Sequence, residues 1–473
     1  MSSNKYKTLF SNTLLISLGT FGSKLLVFLM VRFYTSYLTP SDYSTADLIT
    51  QTANLLFPLI SIGITEGVFR FALDGAENRK SVFTIGLAAI SIGGLLFFAI
   101  APLLGLVKDF GGYVWLIIVY TMAASYHALC TQYIRAVGKT GLFAIQGIIN
   151  TILVIVLNIL FLASFNMGII GYVLSVVVAD TLCTLFLVVK EKLWCSVTLH
   201  PDMSVLPDML KYSIPLIPTT VFWWITSVSD RYMVNWIIGS TENGLYAVSY
   251  KLPTVLSLVS GIFMKAWQFS AVTEDDGNKQ DYINFFNRIW ASFQAVMFIA
   301  GSFMIVFAKP AIKLLTTKQF YGAWEYVPLL SAAMVFCAFD SFMGTVYTVN
   351  KKSINSFFTS FAGAALNVAL NFVLIPLIGV QGAAIATVVS YFAVFVIRAV
   401  NARQYIPFKL YFGNVAINSV LIVIQILVLV FGVTGWVVIE ILLTLILLAT
   451  NFKFLIPFIT KIFSFLKRRN RNA

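Results

Sequence analysis

Runs of about twenty apolar residues, separated by short polar stretches, follow one another along almost the whole chain. Each is long enough to cross a ~30 Å hydrocarbon core as a helix. Fourteen such spans are predicted. The first seven lie at about 8–34, 43–71, 81–107, 112–136, 142–164, 168–190 and 209–238. The rest lie at about 245–272, 283–308, 323–349, 354–377, 380–402, 411–432 and 434–457. A second pattern overlies the first: Leu157-Asn158 with Gly168 and Gly171 downstream recurs as Leu370-Asn371 with Gly379 and Gly382. Each copy predicts an apolar helix carrying a buried Asn, a short turn, and a Gly-x-x-Gly entry into the next helix. Two copies predict two similar halves, an organisation found mostly in transporters.

Composition agrees with the pattern. The 473 residues are 59% hydrophobic and 11% charged, with a mean hydropathy of +0.88, which excludes a soluble globular or disordered chain. The fold class expected is an all-α polytopic membrane protein of about 14 transmembrane helices. No cleavable signal is expected, because the polar start leads into a segment too long for a signal core. The longest stretches outside the spans, Glu191 to Asp208 and around Lys309 to Tyr321, are too short to fold as a catalytic domain.

The net charge of +13 is mainly topological. Lys5, Lys7, Arg79, Lys80, Lys139, Lys190, Lys192, Lys279, Lys351, Lys352, Arg403 and Lys409 fall on one set of loops, joined by the tail Lys467-Arg468-Arg469-Asn470-Arg471. The opposite loops carry only Lys108, Lys309, Lys313 and Lys318, with Arg32 near a helix end. The positive-inside rule makes the basic loops and both termini cytoplasmic. With basic residues spread over short loops and no binding module, nucleic acid is not an expected partner; the basic tail suits anionic membrane lipid. Cys130, Cys183 and Cys337 lie within spans and Cys195 in a loop, without metal-like spacing, and His127 and His200 are the only histidines. No metal site is expected.

An ionisable side chain at a helix centre costs about 2.5–3.5 kcal/mol even on the lenient insertion scale, so each needs a partner or a watery cavity. Lys24 lies midway along the first span, and Thr13, Ser17, Thr20 and Lys24 share one helix face. The second span repeats the design with Asp47, Gln51, Asn54, Pro58, Ser61 and Thr65, so the two stripes predict one wall of a hydrated cavity. Glu66 and Arg70 stand four apart and can pair. The seventh span carries Thr220, Trp223, Trp224, Ser227, Asp230, Arg231 and Asn235, and the eighth carries Lys265. Lys24, Arg70, Arg231 and Lys265 suit an anionic head group, and Trp223, Trp224 and Tyr126 suit sugar faces. Asp180 and Asp340 are two further acids within spans, with no partner legible in the sequence.

A second constellation suits a small hard cation: Asn367 and Asn371 four apart on the eleventh span, Thr387 on the twelfth, and the carboxylate of Asp230 on the seventh. Interhelical hydrogen bonding would use the same asparagines. Pro58, Pro215, Pro218, Pro253 and Pro376 lie in or at the ends of spans, where each permits bending.

Three local signatures carry a family resemblance: Leu38-Thr39-Pro40-Ser41-Asp42-Tyr43-Ser44 with its counterpart Ile238 to Tyr246, Tyr133 to Lys139, and Ala365 to Asn371 through Pro376, Gly379 and Gly382. With them the chain resembles the multidrug/oligosaccharidyl-lipid/polysaccharide flippase superfamily and, within it, the polysaccharide transport branch with its Wzx-type members. The resemblance implies two pseudo-symmetric six-helix lobes at 1–190 and 209–404, a cytoplasmic linker at 191–208, and two C-terminal helices with a basic tail at 405–473. It implies alternating access in a bacterial cytoplasmic membrane and a cargo of undecaprenyl-pyrophosphate-linked oligosaccharide or a similar precursor. Lys24 and Lys265 resemble the cavity cations of the two lobes, and Asp230, Asn367, Asn371 and Thr387 resemble a sodium site. Where relatives often place Asp in the i, i+4 pair, both positions here are Asn. The resemblance further implies no cofactor beyond coupling to Na⁺, protons or the membrane potential. It implies a functional monomer working beside polymerase and assembly proteins.

Two other readings compete. A drug exporter of the same superfamily predicts an acidic cavity and typically twelve spans. A polysaccharide polymerase or ligase predicts a large external loop with catalytic residues, which the short Lys309 to Tyr321 stretch does not supply.

Overall fold

In the computed structural model, residues 26, 28–74, 78–106, 110–273, 279–350 and 352–469 are described. All regular structure among them is helical. The helices are α1 (Val31–Tyr37), α2 (Pro40–Ile60), α3 (Ile64–Asp74), α4 (Arg79–Ile100), α5 (Val114–Ala136), α6 (Thr140–Asn158), α7 (Gly168–Glu191), α8 (Leu206–Ser213) and α9 (Leu216–Ile237). They continue as α10 (Ser240–Ser249), α11 (Thr254–Thr273), α12 (Lys279–Val306), α13 (Ala308–Leu315), α14 (Val327–Val349), α15 (Ser353–Ile378), α16 (Val380–Ala402), α17 (Phe412–Val430) and α18 (Trp436–Arg469).

Among the described residues ten helices are long and apolar enough to cross a membrane, or twelve if two bent pairs each count as one span. The expected second span is one such pair, α2 and α3, bent by 54°, where the chain turns left-handed at Ile62 and Gly63. The expected eighth is the other, α10 and α11, bent by 41°. The expected seventh divides into α8 and α9 around Pro215. It stays outside the ten because Thr, Ser, Asn and the Asp230-Arg231 pair dilute its apolar run. Pro58, Pro215 and Pro253 therefore mark three interruptions, each removing a backbone hydrogen bond where a helix ends or bends. Residues 8–25 and 27 of the expected first span, with Thr13, Ser17, Thr20 and Lys24, lie outside the described residues, while its end runs into α1.

Two compact units divide the chain, residues 1–247 and 248–473. In the first, α5 packs along α7, and α2, α3 and α4 pack on α5. One apolar cluster gathers Ile64, Val68, Phe83, Leu129 and Ile134; another gathers Leu48, Ile49, Leu116, Ile117 and Val173. The stretch 191–208 is held against the start of α4: Thr198 N–H donates to Thr84 Oγ1 (3.0 Å) and Asp202 N–H to Ser81 Oγ (2.9 Å). Hydrogen bonds from Ser204 to Asp202 hold that exposed carboxyl below its ordinary range.

The second unit has an aromatic core. Trp267 stacks on Phe342 (centroids 5.2 Å apart, planes 15° apart), and Trp290 meets Phe339 edge-on at 5.2 Å. Ring pairs of this geometry add about 0.5–1.5 kcal/mol each beyond area burial. Polar ladders join the last two helices. Asn418 and Asn451 exchange hydrogen bonds (3.1 and 2.9 Å), Gln425 donates to Glu440 (2.9 Å) and Thr444 (3.1 Å), and Thr444 reaches Ser302 on α12 (3.0 Å). Such contacts hold helices together where lipid removes the hydrophobic drive between them.

The two copies of the repeated motif share several local features, although a π-helical turn follows Asn158 where the α-helix runs on past Asn371. Gly168 and Gly379 take left-handed φ values of 54° and 67°, and at Gly171 and Gly382 the new helix packs tightly on the end of the previous one. The paired asparagines, Asn158 and Asn371, are both buried. Each sends its amide N–H back one turn, to Val154 O (2.8 Å) and Asn367 Oδ1 (3.0 Å).

A methyl at Gly93 would collide with the carbonyl of Ile60, whereas one at Gly147 meets nothing within 4 Å. Gly93→Ala should destabilise by about 1–3 kcal/mol through overpacking. Gly147→Ala, inside α6, should be neutral or stabilising by up to about 1 kcal/mol. Thermal melting of the purified variants in detergent checks both; equal melting points would contradict the close α2–α4 approach.

Candidate functional site

The first unit buries a polar cluster where the start of α2 meets α9 and α10. Thr39 caps α2 in a reciprocal box with Asp42, and Pro40 opens the first turn, so the helix start is strongly specified. Ser41 Oγ lies 2.8 Å from Ser240 Oγ, Asn243 donates to Ser44 (2.7 Å), and Ser44 donates to Asn235 (3.2 Å). Gly244 lies so close to the Pro40 backbone that no β-carbon fits there. The two segments expected to be counterparts, Leu38 to Ser44 and Ile238 to Tyr246, therefore pack on each other.

One turn further in, Arg231 on α9 forms a buried ion pair with Asp47 on α2 at 2.7 Å, the two side chains 8% and 5% exposed. Asp230 is fully buried and accepts the hydroxyl of Tyr246 (2.7 Å) and the backbone N–H of Arg231 (2.9 Å). Tyr232 donates to Leu48 O (3.2 Å) and lies 2.8 Å from Thr52 Oγ1, while Trp224 donates to Gln51 O (3.1 Å). The guanidinium is thus engaged by a carboxylate, and an anion would gain it only in exchange for Asp47.

The other candidates are placed as follows. Trp223 is exposed, and Tyr126 lies 3.0 Å from Ser91 Oγ beside the apolar cluster of the first unit. Glu66 and Arg70 are exposed on α3, where Glu66 also accepts from Gln132 (3.4 Å). Lys24 lies outside the described residues, as does the side chain of Lys265 on α11.

Of the cation candidates, Asn367, Asn371 and Thr387 come together in the second unit. Asn371 donates to Asn367 Oδ1 (3.0 Å), Asn367 lies 3.5 Å from Thr387 Oγ1, and all three are fully buried. Asn371 Oδ1 receives no hydrogen bond, so this trio presents a buried oxygen of the kind a hard cation takes. Asp230 belongs to the first unit.

The two acids without a sequence-legible partner find bases on other helices. Asp180 on α7 lies 3.3 Å from His127 on α5, and Asp340 on α14 lies 2.9 Å from Arg398 on α16. Arg398 also donates to Thr359 (2.9 Å) and Ser360 (3.0 Å) on α15. Nothing in local spacing marks Arg398 or the buried Glu440; the only available signal was a charge inside an apolar run.

The model of a family described as polysaccharide biosynthesis protein matches residues 29–325. Among curated proteins, nothing matches. Solved structures are similar in fold. An inward-facing multidrug resistance MATE family transporter of the MOP superfamily aligns at 14% identity and a TM-score of 0.67, over 81% of this chain and 94% of that one. A Vibrio cholerae MATE transporter aligns at 16% and 0.59, over 87% and 99%. A MOP superfamily transporter from Pyrococcus furiosus, reported for the reverse polarity of its binding pocket, aligns at 14% and 0.61, over 84% and 94%.

Removing one member of a buried ion pair strands the other charge, at a cost of about 3–5 kcal/mol. Arg231→Ala should therefore lower the melting point far more than the double variant Asp47→Leu/Arg231→Met, which removes both charges. A double-mutant cycle on melting points checks this; additive effects would mean the pair carries no coupling.

Proposed function

The chain belongs to the polysaccharide biosynthesis protein family, and from that premise we propose that it is a flippase for a lipid-linked oligosaccharide. It carries an undecaprenyl-pyrophosphate-linked sugar precursor from the cytoplasmic to the outer leaflet of a bacterial cytoplasmic membrane by alternating access, both termini inside. The observation that carries the reading is the family match, joined to a fold shared with MOP superfamily transporters. The same fold accounts for a chain that is nearly all membrane helix, leaving its work to be done between helices rather than in a catalytic domain.

In this reading the candidate contacts of the head group are Lys24, Glu66, Arg70, Arg231, Trp223, Trp224 and Tyr126 in the first unit and Lys265 in the second, the cations toward the pyrophosphate and the aromatics toward the sugars. A guanidinium offers phosphate two parallel hydrogen bonds, so the cargo phosphate competes with Asp47 for Arg231. The Asn367, Asn371 and Thr387 oxygens of the second unit are the candidate ligands of a coupling Na⁺, and the Asp230 carboxylate is a candidate cation ligand within the first unit. The protein works as a monomer beside the polymerase and assembly proteins that consume its product, and uses no organic cofactor.

Drug export is the second reading, favoured by the multidrug transporters among the similar structures. Proteoliposomes holding purified protein and a labelled undecaprenyl-pyrophosphate oligosaccharide separate the two, with an external sugar-modifying enzyme reporting translocation. Wild type should expose the sugar and Lys24→Ala should lose most of that activity. Failure of wild type with this cargo, alongside efflux of a cationic drug, would overturn the flippase reading.

A further inference from the structure

The segment Tyr133 to Lys139 closes α5, and every residue in it but one has a place in the packing. Tyr133 packs on Phe83 (centroids 4.6 Å apart) and donates to Ser196 (3.4 Å), Ile134 and Ala136 are buried, Val137 lies against the first unit's apolar cluster, and Lys139 pairs with Glu191. Gly138 takes a left-handed φ of 88°, and the N–H groups of Val137, Gly138 and Lys139 close on the carbonyls of Tyr133, Arg135 and Ile134. The helix end is therefore capped by backbone alone. Arg135 is the exception. Its side chain is exposed, and among the described residues its guanidinium donates to no backbone carbonyl and pairs with no carboxylate. Its one hydrogen bond runs to Gln132 Oε1 at 3.5 Å, the outer limit for such a bond.

Rings hold the guanidinium instead. Its carbon lies 4.5 Å from the centroid of Phe69 on α3 and 5.6 Å from that of Phe143 on α6. Both rings are anchored against the cluster that gathers Ile64, Val68, Phe83, Leu129 and Ile134. Contacts of this kind fix where the charge sits without supplying acceptors for its N–H groups. The amide of Gln132 stands between the guanidinium and Glu66, accepting from the one and donating to the other (3.4 Å). Other cations of this unit are engaged: Arg231 by Asp47, Lys139 by Glu191, and Arg79 by Ala72 O (3.0 Å).

We propose that Arg135, clamped by Phe69 and Phe143 where α3, α5 and α6 meet, binds the phosphate of a lipid head group. Phosphate fits because one guanidinium gives an oxyanion two parallel N–H bonds, and a cation already held in place loses little freedom on binding. Unlike Arg231, it gives up no carboxylate to do so. A lipid fits as the carrier because Arg135 stands in the last turn of a membrane-spanning helix. Leu73, one turn beyond Phe69 on α3, is also 49% exposed and gains by burial against an apolar chain. Arg70 lies on the exposed side of the same helix and adds positive charge. Under the flippase reading, on which this use of the site rests, the phosphate is that of the cargo and Arg135 takes it up at the cytoplasmic leaflet. Anionic phospholipids of that leaflet offer the same chemistry.

The test uses the full chain in nanodiscs of zwitterionic lipid, with labelled undecaprenyl pyrophosphate as the probe. Arg135→Gln should weaken its binding about tenfold or more, as expected for loss of a charged hydrogen-bonding partner. Binding of undecaprenol, the same chain without phosphate, should not change. Arg135→Lys keeps the charge without the planar fork and should fall between wild type and Arg135→Gln. Equal probe binding in wild type and Arg135→Gln would overturn the site, as would an equal loss of undecaprenol binding, which marks a folding defect. Nanodiscs containing phosphatidylglycerol separate the two sources of phosphate. Binding that still depends on Arg135 there supports the cargo; binding reduced to the Arg135→Gln level means that bulk lipid holds the site and overturns its assignment to cargo. In proteoliposomes, sugar exposure at equal rates in wild type and Arg135→Gln overturns the uptake role while the flippase reading stands. Arg135-dependent binding in a protein that exposes no sugar overturns the flippase reading while the phosphate site stands.

Discussion

A charge inside a bilayer has to be met by a counter-charge or by water, and in this chain the counter-charges come from other helices. Asp47 is met by Arg231, Asp180 by His127 and Asp340 by Arg398, each across a helix-helix contact within one unit. Because lipid tails are as apolar as leucine, burial of apolar area cannot decide which helices neighbour each other. The polar pairs can, since a helix rotated or shifted by one turn would strand a charge. The Gln425–Glu440–Thr444 ladder does the same work for α17 and α18 with amides and hydroxyls.

Close packing supplies the rest of the specificity. Where Gly244 meets Pro40, and where Gly382 meets the end of α15, the approach is too near for a side chain. Small residues at such points let polar groups reach one another, so Ser41 meets Ser240 and Asn243 meets Ser44 a few residues from the Gly244 contact. The aromatic cluster around Trp290 and Phe342 fills the second unit in a different way, with large rings in place of close backbones. The halves thus share a helix pattern and differ in what fills it, and the His127–Asp180 pair of one against the Asp340–Arg398 pair of the other belongs to that difference.

The sequence by itself determined the fold class and the repeat, and it located most of the membrane spans, although it counted fourteen where ten helices, or twelve with the bent pairs, qualify among the described residues. Those depend on local composition and on periods of a few residues, which a single chain displays without reference to its partners. It marked Asp47, Asp230, Arg231, Asn367, Asn371, Asp180 and Asp340 as residues needing an explanation, because a charge or amide in an apolar run is costly wherever the helix goes. It also placed the prolines at which spans bend, although the 54° break after α2 divides a stretch that reads as continuous.

Only the tertiary structure decided the partners. Arg231 reads as a lone cation in an apolar span until Asp47, 184 residues away, is seen beside it. His127 reads as an isolated histidine until α5 and α7 lie side by side. Arg398 attracts no notice until Asp340 lies beside it. The physical reason is that hydrogen bonds and ion pairs act over about 3 Å, whereas the sequence records distance along the chain, and helices that cross a bilayer bring together residues whose separation in sequence says nothing about that contact.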